Sequence, residues 1–186
     1  MLVQRRQRVV PARLSDVWGL DFVADQLADG TRFRALTIVD VFSREALAIE
    51  VGKRLGGEHV VASLNRLVAQ RQAPRYLCVD NGSEFSGRLL DLWAYHYQVQ
   101  LDFSRPGKPT DNSFVETFNG SLRDECLNVH WFESCETPRR ASRLGAATTM
   151  RAALTWLSAT CRRRNLPEGW ALAPSPRVHW ASETSA

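Results

Sequence analysis

The stretch VWGLDFVADQLADGTRFRALTIVDVFSREALAIEV, residues 17–51, decides the fold class of this chain. It contains three apolar runs rich in β-branched residues, at residues 17–23, 33–42 and 45–51. Such runs predict strands, and the Ala-Asp-Gly sequence at 28–30 is a turn signal between the first two. The stretch therefore predicts a three-stranded antiparallel meander.

Helical and extended patterns alternate after the meander. Apolar residues recur at helical spacing in residues 57–71 and 86–98, and short apolar runs follow at 76–79 and 99–103. A third helix is predicted over residues 111–128, with Asp or Asn at its N-cap. A meander followed by βα units favours an α/β domain, in which helices flank a mixed sheet.

The size and composition of the chain suit one soluble domain. The chain has 186 residues, of which 44% are hydrophobic and 24% charged. No apolar run approaches the roughly 20 residues of a membrane span, and no secretory signal is recognised at the start. The cysteines stand far apart without a CxxC pair, which argues against a disulfide framework or a zinc knuckle and favours the cytoplasm. They are Cys78, Cys126, Cys135 and Cys161.

The basic charge of the chain is unevenly distributed. The formal net charge is +4, but residues 1–134 carry a net charge of −1 and residues 135–186 a net charge of +5. The basic pI of about 9.2 therefore gives little support by itself to nucleic-acid binding.

Three acids occupy positions where an unpaired carboxylate would be unfavourable. Asp21 lies within an apolar strand, Asp80 ends another strand, and Glu116 lies one turn into the third helix. Caps and ion pairs would explain any one of them. Taken together, a strand-centre, a strand-end and a helix acid can converge at one edge of a sheet, and oxygen donors of this kind suit Mg²⁺ or Mn²⁺.

Three motifs around these acids resemble a known family. WGLDFV surrounds Asp21, VDNGSEF surrounds Asp80, and PGKPTDNSFVETFNGSLRDECLN surrounds Glu116. Residues 16–134 resemble the catalytic core of the DDE insertion-sequence transposases, which are relatives of retroviral integrases with a ribonuclease-H-like fold. Thirty-five residues separate Asp80 from Glu116, as between the second acid and the final glutamate of that family.

The resemblance implies a function and a set of partners. Asp21, Asp80 and Glu116 would be the catalytic residues and would bind two ions of Mg²⁺ or Mn²⁺. The activity implied is metal-dependent DNA strand cleavage and strand transfer, on element ends and target DNA. The resemblance is compatible with a homo-oligomer and with a bacterial cytoplasmic protein, associated with the nucleoid when bound to DNA. It implies no organic cofactor and no membrane.

Four further residues are candidate DNA contacts. Asn112 and Asn119 lie four residues before and three residues after Glu116, on the same helical face. They would touch DNA phosphate or merely cap and solvate the helix, and both readings stay open. Lys108, in the Pro/Gly loop before the helix, and Arg123, further along it, are the other two.

The two ends of the chain depart from the family pattern. Residues 1–16 are predicted to be a basic arm, without the upstream helix-turn-helix region of the family.

Residues 135–186 contain no Asp, Phe, Ile, Lys, Gln or Tyr. Read one frame over, the codons from Ala147 onward permit Asp-Tyr-Asn, Arg-Pro-His and Ser-Pro-Ala-Glu-Phe in order, as in the family's missing segment. We therefore interpret residues 135–186 as an out-of-frame tail that begins close to Ser134, although a natural extension is the alternative.

The sequence leaves the activity of this chain open. Residues 17–134 are predicted to be an integrase-like catalytic core, whose three acids favour catalysis. The short segment before the first predicted strand and the altered C-terminal tail favour the alternative, a non-catalytic remnant of a transposase with at most weak nucleic-acid binding. A small-molecule-binding α/β module would want a Gly-rich phosphate loop, and GKRLGG at residues 52–57 lacks that pattern.

Overall fold

The computed structural model describes residues 9–104, 113–128, 132–135 and 161–163. A five-stranded sheet with the strand order β3-β2-β1-β4-β5 forms its centre. The elements are β1 (Val17–Gln26), β2 (Arg32–Asp40), β3 (Ala46–Gly52), α1 (Gly57–Val68), β4 (Tyr76–Val79), α2 (Arg88–Tyr97), β5 (Gln100–Phe103), α3 (Ser113–Leu122) with a π-helical turn after it (Arg123–Leu127), β6 (Phe132–Cys135) and β7 (Cys161–Arg163).

The sheet is mixed, as the sequence predicts. Strands β1, β2 and β3 form an antiparallel meander, with Asp21 opposite Thr37 in the register of β1 and β2. Strand β4 pairs in parallel with β1, where Gly19 lies opposite Cys78, and β5 pairs in parallel with β4. The carboxyl end of β4 therefore lies beside the middle of β1.

Strand β2 ends earlier than its apolar pattern predicts, at Asp40 instead of Phe42. The buried Asp40 carboxylate accepts hydrogen bonds from the N–H groups of Phe42 and Ser43, which turns the chain. Phe42 is consequently half exposed. Strand β1 is longer than predicted and continues to Gln26, because its ladder with β2 extends that far.

Each face of the sheet packs against different helices. Helix α3 covers one face, and α1 and α2 cover the other. The first face buries, among others, Val23, Phe33, Ala35, Val115, Phe118 and Leu122. The second face buries, among others, Trp18, Leu20, Leu36, Leu64, Leu90 and Trp93. Successive residues of β1 and β2 alternate between the two cores, as side chains of a strand must.

Helix α3 and its continuation differ from the predicted helix over residues 111–128. The first two of those residues lie outside the described ranges. After Leu122 the helix widens into a π-helical turn, in which the Asn128 N–H donates to the Arg123 carbonyl over 2.8 Å. The extra residue in the π-helical turn changes which side chains face the sheet, so that Cys126 and Leu127 are both buried.

The segment before β1 is attached to the sheet within its described part. The Ser15 N–H donates to the Asp40 carboxylate, and the Asp16 carbonyl accepts from the N–H groups of Arg75 and Tyr76. These bonds hold residues 15 and 16 at the entrance to β1 and β4. The first eight residues of the predicted basic arm lie outside the described ranges.

Strands β6 and β7 form a second, two-stranded antiparallel sheet. Phe132, at the start of β6, packs edge-on against Phe33, and its carbonyl accepts the Ala28 N–H over 2.8 Å. The core therefore extends at least to Phe132. Of the predicted tail, only residue 135 and residues 161–163 are described. Within the described ranges, no helix has both the length and the apolar character needed to cross a bilayer.

Candidate active site

Asp21 lies at the centre of the sheet and faces helix α3. Its Oδ1 accepts the Phe22 N–H over 2.7 Å, and its Oδ2 accepts Nδ2 of Asn119 over 2.9 Å. Burial raises the pKa of Asp21 above its ordinary value, although these two hydrogen bonds act in the opposite direction. Asp21 is thus a carboxyl group whose ionised form is disfavoured where it stands.

Asp80 and Glu116 lie near enough to act on Asp21 electrostatically. The negative charges of both residues contribute to the raised pKa of Asp21. Asp80 follows β4 directly, and the parallel pairing of β4 with β1 brings it beside the middle of β1, where Asp21 lies. Glu116 is exposed in the first turn of α3. Two strands and one helix therefore bring three carboxylates into one electrostatic cluster.

The three carboxylates do not lie close enough together in this structure to bind one metal ion jointly. Within the described part of the chain, no three His, Cys, Asp or Glu side chains are grouped closely enough to hold a metal ion. Like charges near one another are unfavourable without a counter-charge. The cluster therefore offers the oxygen ligands that a hard cation such as Mg²⁺ prefers, but its side chains are too far apart to bind one without moving.

The loop after β4 fixes the conformation of Asp80. Its Oδ1 accepts the Gly82 N–H over 2.9 Å. A Cβ atom at Gly82 would lie 2.9 Å from that same oxygen and 3.1 Å from Oε2 of Glu84. Glycine is therefore required for the present position of the Asp80 carboxylate.

An arginine of β2 holds this loop against the sheet. Arg34 forms a salt bridge with Glu84, and its guanidinium carbon lies 4.2 Å from the centroid of the Phe22 ring. Phe22 in turn packs against Phe85 of the loop, with 5.3 Å between the ring centroids. The bond from Arg34 lowers the pKa of Glu84. These contacts connect the residue after Asp21 to the loop after Asp80.

Asn119 is buried, with only 6% of its surface exposed. Its Nδ2 donates to Asp21, and its Oδ1 accepts the hydroxyl of Thr37 over 2.9 Å. Both ends of its amide are therefore engaged inside the protein, where the sequence had left open a contact with DNA phosphate or with solvent.

The other candidate DNA contacts have different outcomes. Arg123 is exposed in the π-helical turn. Lys108 and Asn112 lie outside the described residues, so their predicted contacts stay predictions.

Three residues that the sequence did not predict also contact this site, namely Thr37, Arg34 and Glu84. The one available signal was the hydroxyl of Thr37 within the apolar run ALTIV. The observed register of β1 and β2 places this residue opposite Asp21. Arg34 and Glu84 are ordinary surface residue types, and only the folded loop brings them together.

Family comparisons match most of the chain. A family profile described as Integrase core domain matches residues 11–109, and a second one with the same description matches residues 97–142. The second match extends beyond residue 134, the predicted end of the core.

Relatives from insertion elements match the same chain. It is 43% identical over 132 residues to the insertion element IS407 uncharacterized 31.7 kDa protein of Burkholderia multivorans, covering 71% of this chain and 48% of that protein. It is 40% identical to the insertion element IS476 uncharacterized 39.2 kDa protein of Xanthomonas euvesicatoria, covering 74% of this chain and 40% of that protein. It is 28% identical to the transposase for insertion sequence element IS904 of Lactococcus lactis, covering 63% of this chain and 47% of that protein. The chain thus spans about half or less of the length of these relatives.

Solved structures share the fold at low identity. A chain of the simian T-cell lymphotropic virus intasome in complex with PP2A regulatory subunit B56 gamma superposes with a TM-score of 0.57 at 22% identity, covering 66% of this chain and 43% of that one. The HTLV-2 integrase catalytic core domain in complex with magnesium superposes with a TM-score of 0.52 at 16% identity, covering 64% of this chain and 74% of that one. The fold is therefore that of retroviral integrase cores, which is ribonuclease-H-like.

Proposed function

We propose, from the premise that this chain belongs to the integrase core domain family, that it is the catalytic core of an insertion-element transposase. Its reaction would be DNA strand cleavage followed by strand transfer. The observation that carries the proposal is the placement of three acids about the middle of β1, where the parallel pairing of β4 brings Asp80 beside Asp21 and the Asn119–Asp21 hydrogen bond holds α3, with Glu116, against them. The matches to insertion-element proteins favour a role in transposition.

The donor chemistry of the cluster fits a divalent metal site. Asp21, Asp80 and Glu116 offer carboxylate oxygens, which suit Mg²⁺ or Mn²⁺. When bound there, two such ions would stabilise the charge on the attacking and leaving oxygens of a phosphoryl transfer. Burial is the main cause of the raised pKa of Asp21, and the negative charges of Asp80 and Glu116 add to it. A cation bound there would neutralise that negative charge. The magnesium named with the integrase neighbour supports the same assignment.

The protein's own residues would orient the carboxylates. Asn119 fixes one oxygen of Asp21, and the Gly82 N–H fixes one oxygen of Asp80. Asp21 must be ionised to act as a ligand, so metal binding would release a proton from any fraction that is protonated. Glu116 is the exposed member of the cluster and would complete the site by moving its side chain.

The substrate would be DNA at the element ends and in the target. Water, and then a DNA 3′-hydroxyl, would attack phosphodiesters in line without a covalent enzyme intermediate. Residues 1–134 carry a net charge of −1, so bare DNA would be repelled by the acidic cluster until cations neutralise it. Lys108 and Arg123 would contact phosphates beside it. The chain would act in the bacterial cytoplasm and form the homo-oligomers that joining two DNA ends requires.

The domain limits are part of the same proposal. Residues 17–134 would form the catalytic core after a basic arm at 1–16. Residues 135–186 would be the out-of-frame tail.

Metal binding and DNA cleavage by the full chain test this function. Asp21→Asn, Asp80→Asn and Glu116→Gln should each abolish Mn²⁺-dependent nicking of an element-end duplex and lower Mn²⁺ affinity. Asp91→Asn, which removes an exposed acid from α2, is the matched control and should keep both. A folded parent chain that binds Mn²⁺ no better than the three variants, and nicks no DNA, would favour the non-catalytic remnant instead.

A further inference from the structure

Thr37 is a buried polar residue placed directly opposite Asp21. It lies in the middle of β2 with 0% of its surface exposed, and the register of β1 and β2 pairs it with Asp21. Its neighbours in β2 are apolar, so its hydroxyl must find a partner within the protein. That partner is Asn119, which is buried as well.

The hydroxyl of Thr37 bridges the backbone of β1 and the side chain of α3. Its Oγ1 lies 2.9 Å from Oδ1 of Asn119 and 3.2 Å from the carbonyl oxygen of Asp21. On the other side, Nδ2 of Asn119 donates to the Asp21 carboxylate. A continuous series of hydrogen bonds thus runs from the centre of β2, through α3, to Asp21.

The Asp21 carboxylate sets the direction of this series of hydrogen bonds, and the Thr37 hydroxyl completes it. An ionised carboxylate can only accept, so the Asn119 amide must present Nδ2 to Asp21 and Oδ1 to Thr37. The hydroxyl satisfies that buried Oδ1 by donating to it. Without the hydroxyl, Oδ1 would be buried with no donor, and the side chain would gain by rotating toward other partners and away from Asp21.

We infer that Thr37 is a positioning residue for the proposed metal site, because its hydroxyl holds the Asn119 amide in the orientation that fixes the Asp21 carboxylate. The inference rests on the proposed function. It names Thr37 as the residue that orients Asn119 against Asp21, the first proposed metal ligand. Partners that orient a metal ligand are generally needed for full affinity, although they never touch the metal.

Two substitutions at Thr37 in the full chain separate the hydroxyl from the shape of the side chain. Thr37→Val keeps the branched shape and removes the hydroxyl, whereas Thr37→Ser keeps the hydroxyl. Thr117→Val is the matched control, because its hydroxyl bonds to the Ser113 carbonyl within α3 and takes no part in the series. If Thr37→Val does not fold, Thr37→Ala removes the hydroxyl without leaving a methyl group against the amide.

The first measurement uses the metal-free protein. The side-chain amide of Asn119, assigned by its loss in Asn119→Ser, should give slowly exchanging NMR signals in the parent, in Thr37→Ser and in Thr117→Val. In Thr37→Val these signals should shift and exchange rapidly.

The second measurement is the affinity for Mn²⁺ alone. Thr37→Val should bind on the order of tenfold more weakly, while Thr37→Ser and Thr117→Val stay within about twofold of the parent. Equal Mn²⁺ affinity of Thr37→Val and a parent that does bind Mn²⁺ would overturn the inference, even if the amide signals changed. A parent that binds no Mn²⁺ would show instead that the proposed function itself is wrong.

Discussion

Asn119 donates a hydrogen bond to the carboxylate of Asp21 over 2.9 Å, between residues 98 positions apart in the chain. Glu116 lies three residues before Asn119 on the same helix, and residues three apart share one side of a helix. The bond therefore sets the position of the Glu116 backbone relative to Asp21.

Asp21→Asn should stabilise the metal-free chain at neutral pH. The folded pKa of Asp21 is raised above the ordinary 3.8, so the folded state holds its proton to higher pH than the unfolded state does. The stability from this group is complete below the unfolded pKa and is lost as pH rises through the folded pKa. Asparagine resembles the protonated form, so the advantage of the variant should shrink on acidification toward that ordinary value.

Urea unfolding across that pH range measures the effect. Asp91→Asn, on the exposed side of α2, controls for the loss of one negative charge. A lower free energy of unfolding for Asp21→Asn than for the parent at neutral pH, without metal, would contradict the prediction.

Gly82→Ala should impair the site more than the fold. The added Cβ would meet Oδ1 of Asp80 at 2.9 Å, and a side-chain oxygen can move away from it. That movement displaces a proposed metal ligand, so Mn²⁺ affinity should fall on the order of tenfold, as for a lost orienting contact. Gly87→Ala is the control, since its Cβ would meet only the Ser83 carbonyl at 4.0 Å. Equal Mn²⁺ titrations of the two variants would argue against a role for Asp80.

Glu84→Gln should loosen the loop after β4. Arg34 lowers the pKa of Glu84 below its ordinary 4.5, so the stability from this pair is present above that value. That stability is lost as pH falls through the folded pKa of Glu84, whereas the stability from Asp21 is lost as pH rises. The pair is partly exposed, so we expect a loss under about 1 kcal/mol at neutral pH. Faster hydrogen exchange of the Phe85 and Ser86 amides would report the loosening, and Glu58→Gln should leave it unchanged.

The fold was predictable because its signals are local. Apolar runs identify β1 to β3, and 3.6-residue periodicity identifies α1 and α2. The strand ends were less predictable, since Asp40 ends β2 through hydrogen bonds that its own sequence neighbourhood does not require. The π-helical turn after Leu122 has the same kind of cause, because the packing of Cys126 and Leu127 selects it over a regular helix.

The residues of the proposed site stood out from the sequence only in part. Asp21, Asp80 and Glu116 stand out because each is an acid in an unfavourable position. Thr37 and the inward role of Asn119 were missed, because a threonine in a strand and an asparagine in a helix are common in any surrounding. The hydrogen bond between them is a contact of β2 with α3 that only the tertiary structure supplies.

Phe132→Ala should destabilise the chain strongly. Phe132 is 1% exposed and packs against Phe33, and removing a buried phenyl ring typically costs about 3–5 kcal/mol. The exposed Phe42→Ala, at 50% exposure, should change the free energy of unfolding far less in urea titrations. Similar losses for both variants would mean that the core ends before β6.

The gene sequence should show one base missing between codons 130 and 170. Packing shows that the core extends to Phe132, and the change of frame proposed from the sequence, close to Ser134, would follow it directly. The family match, which continues to residue 142, instead favours a frame that is intact to that residue. A frame-restored chain should then encode the family's missing segment. An out-of-frame segment has no selected pattern of burial, so its amides should exchange faster in the chain as given than those of the restored segment. An intact reading frame in the gene, or protection of residues 135–186 equal to that of the central sheet, would establish a natural extension instead.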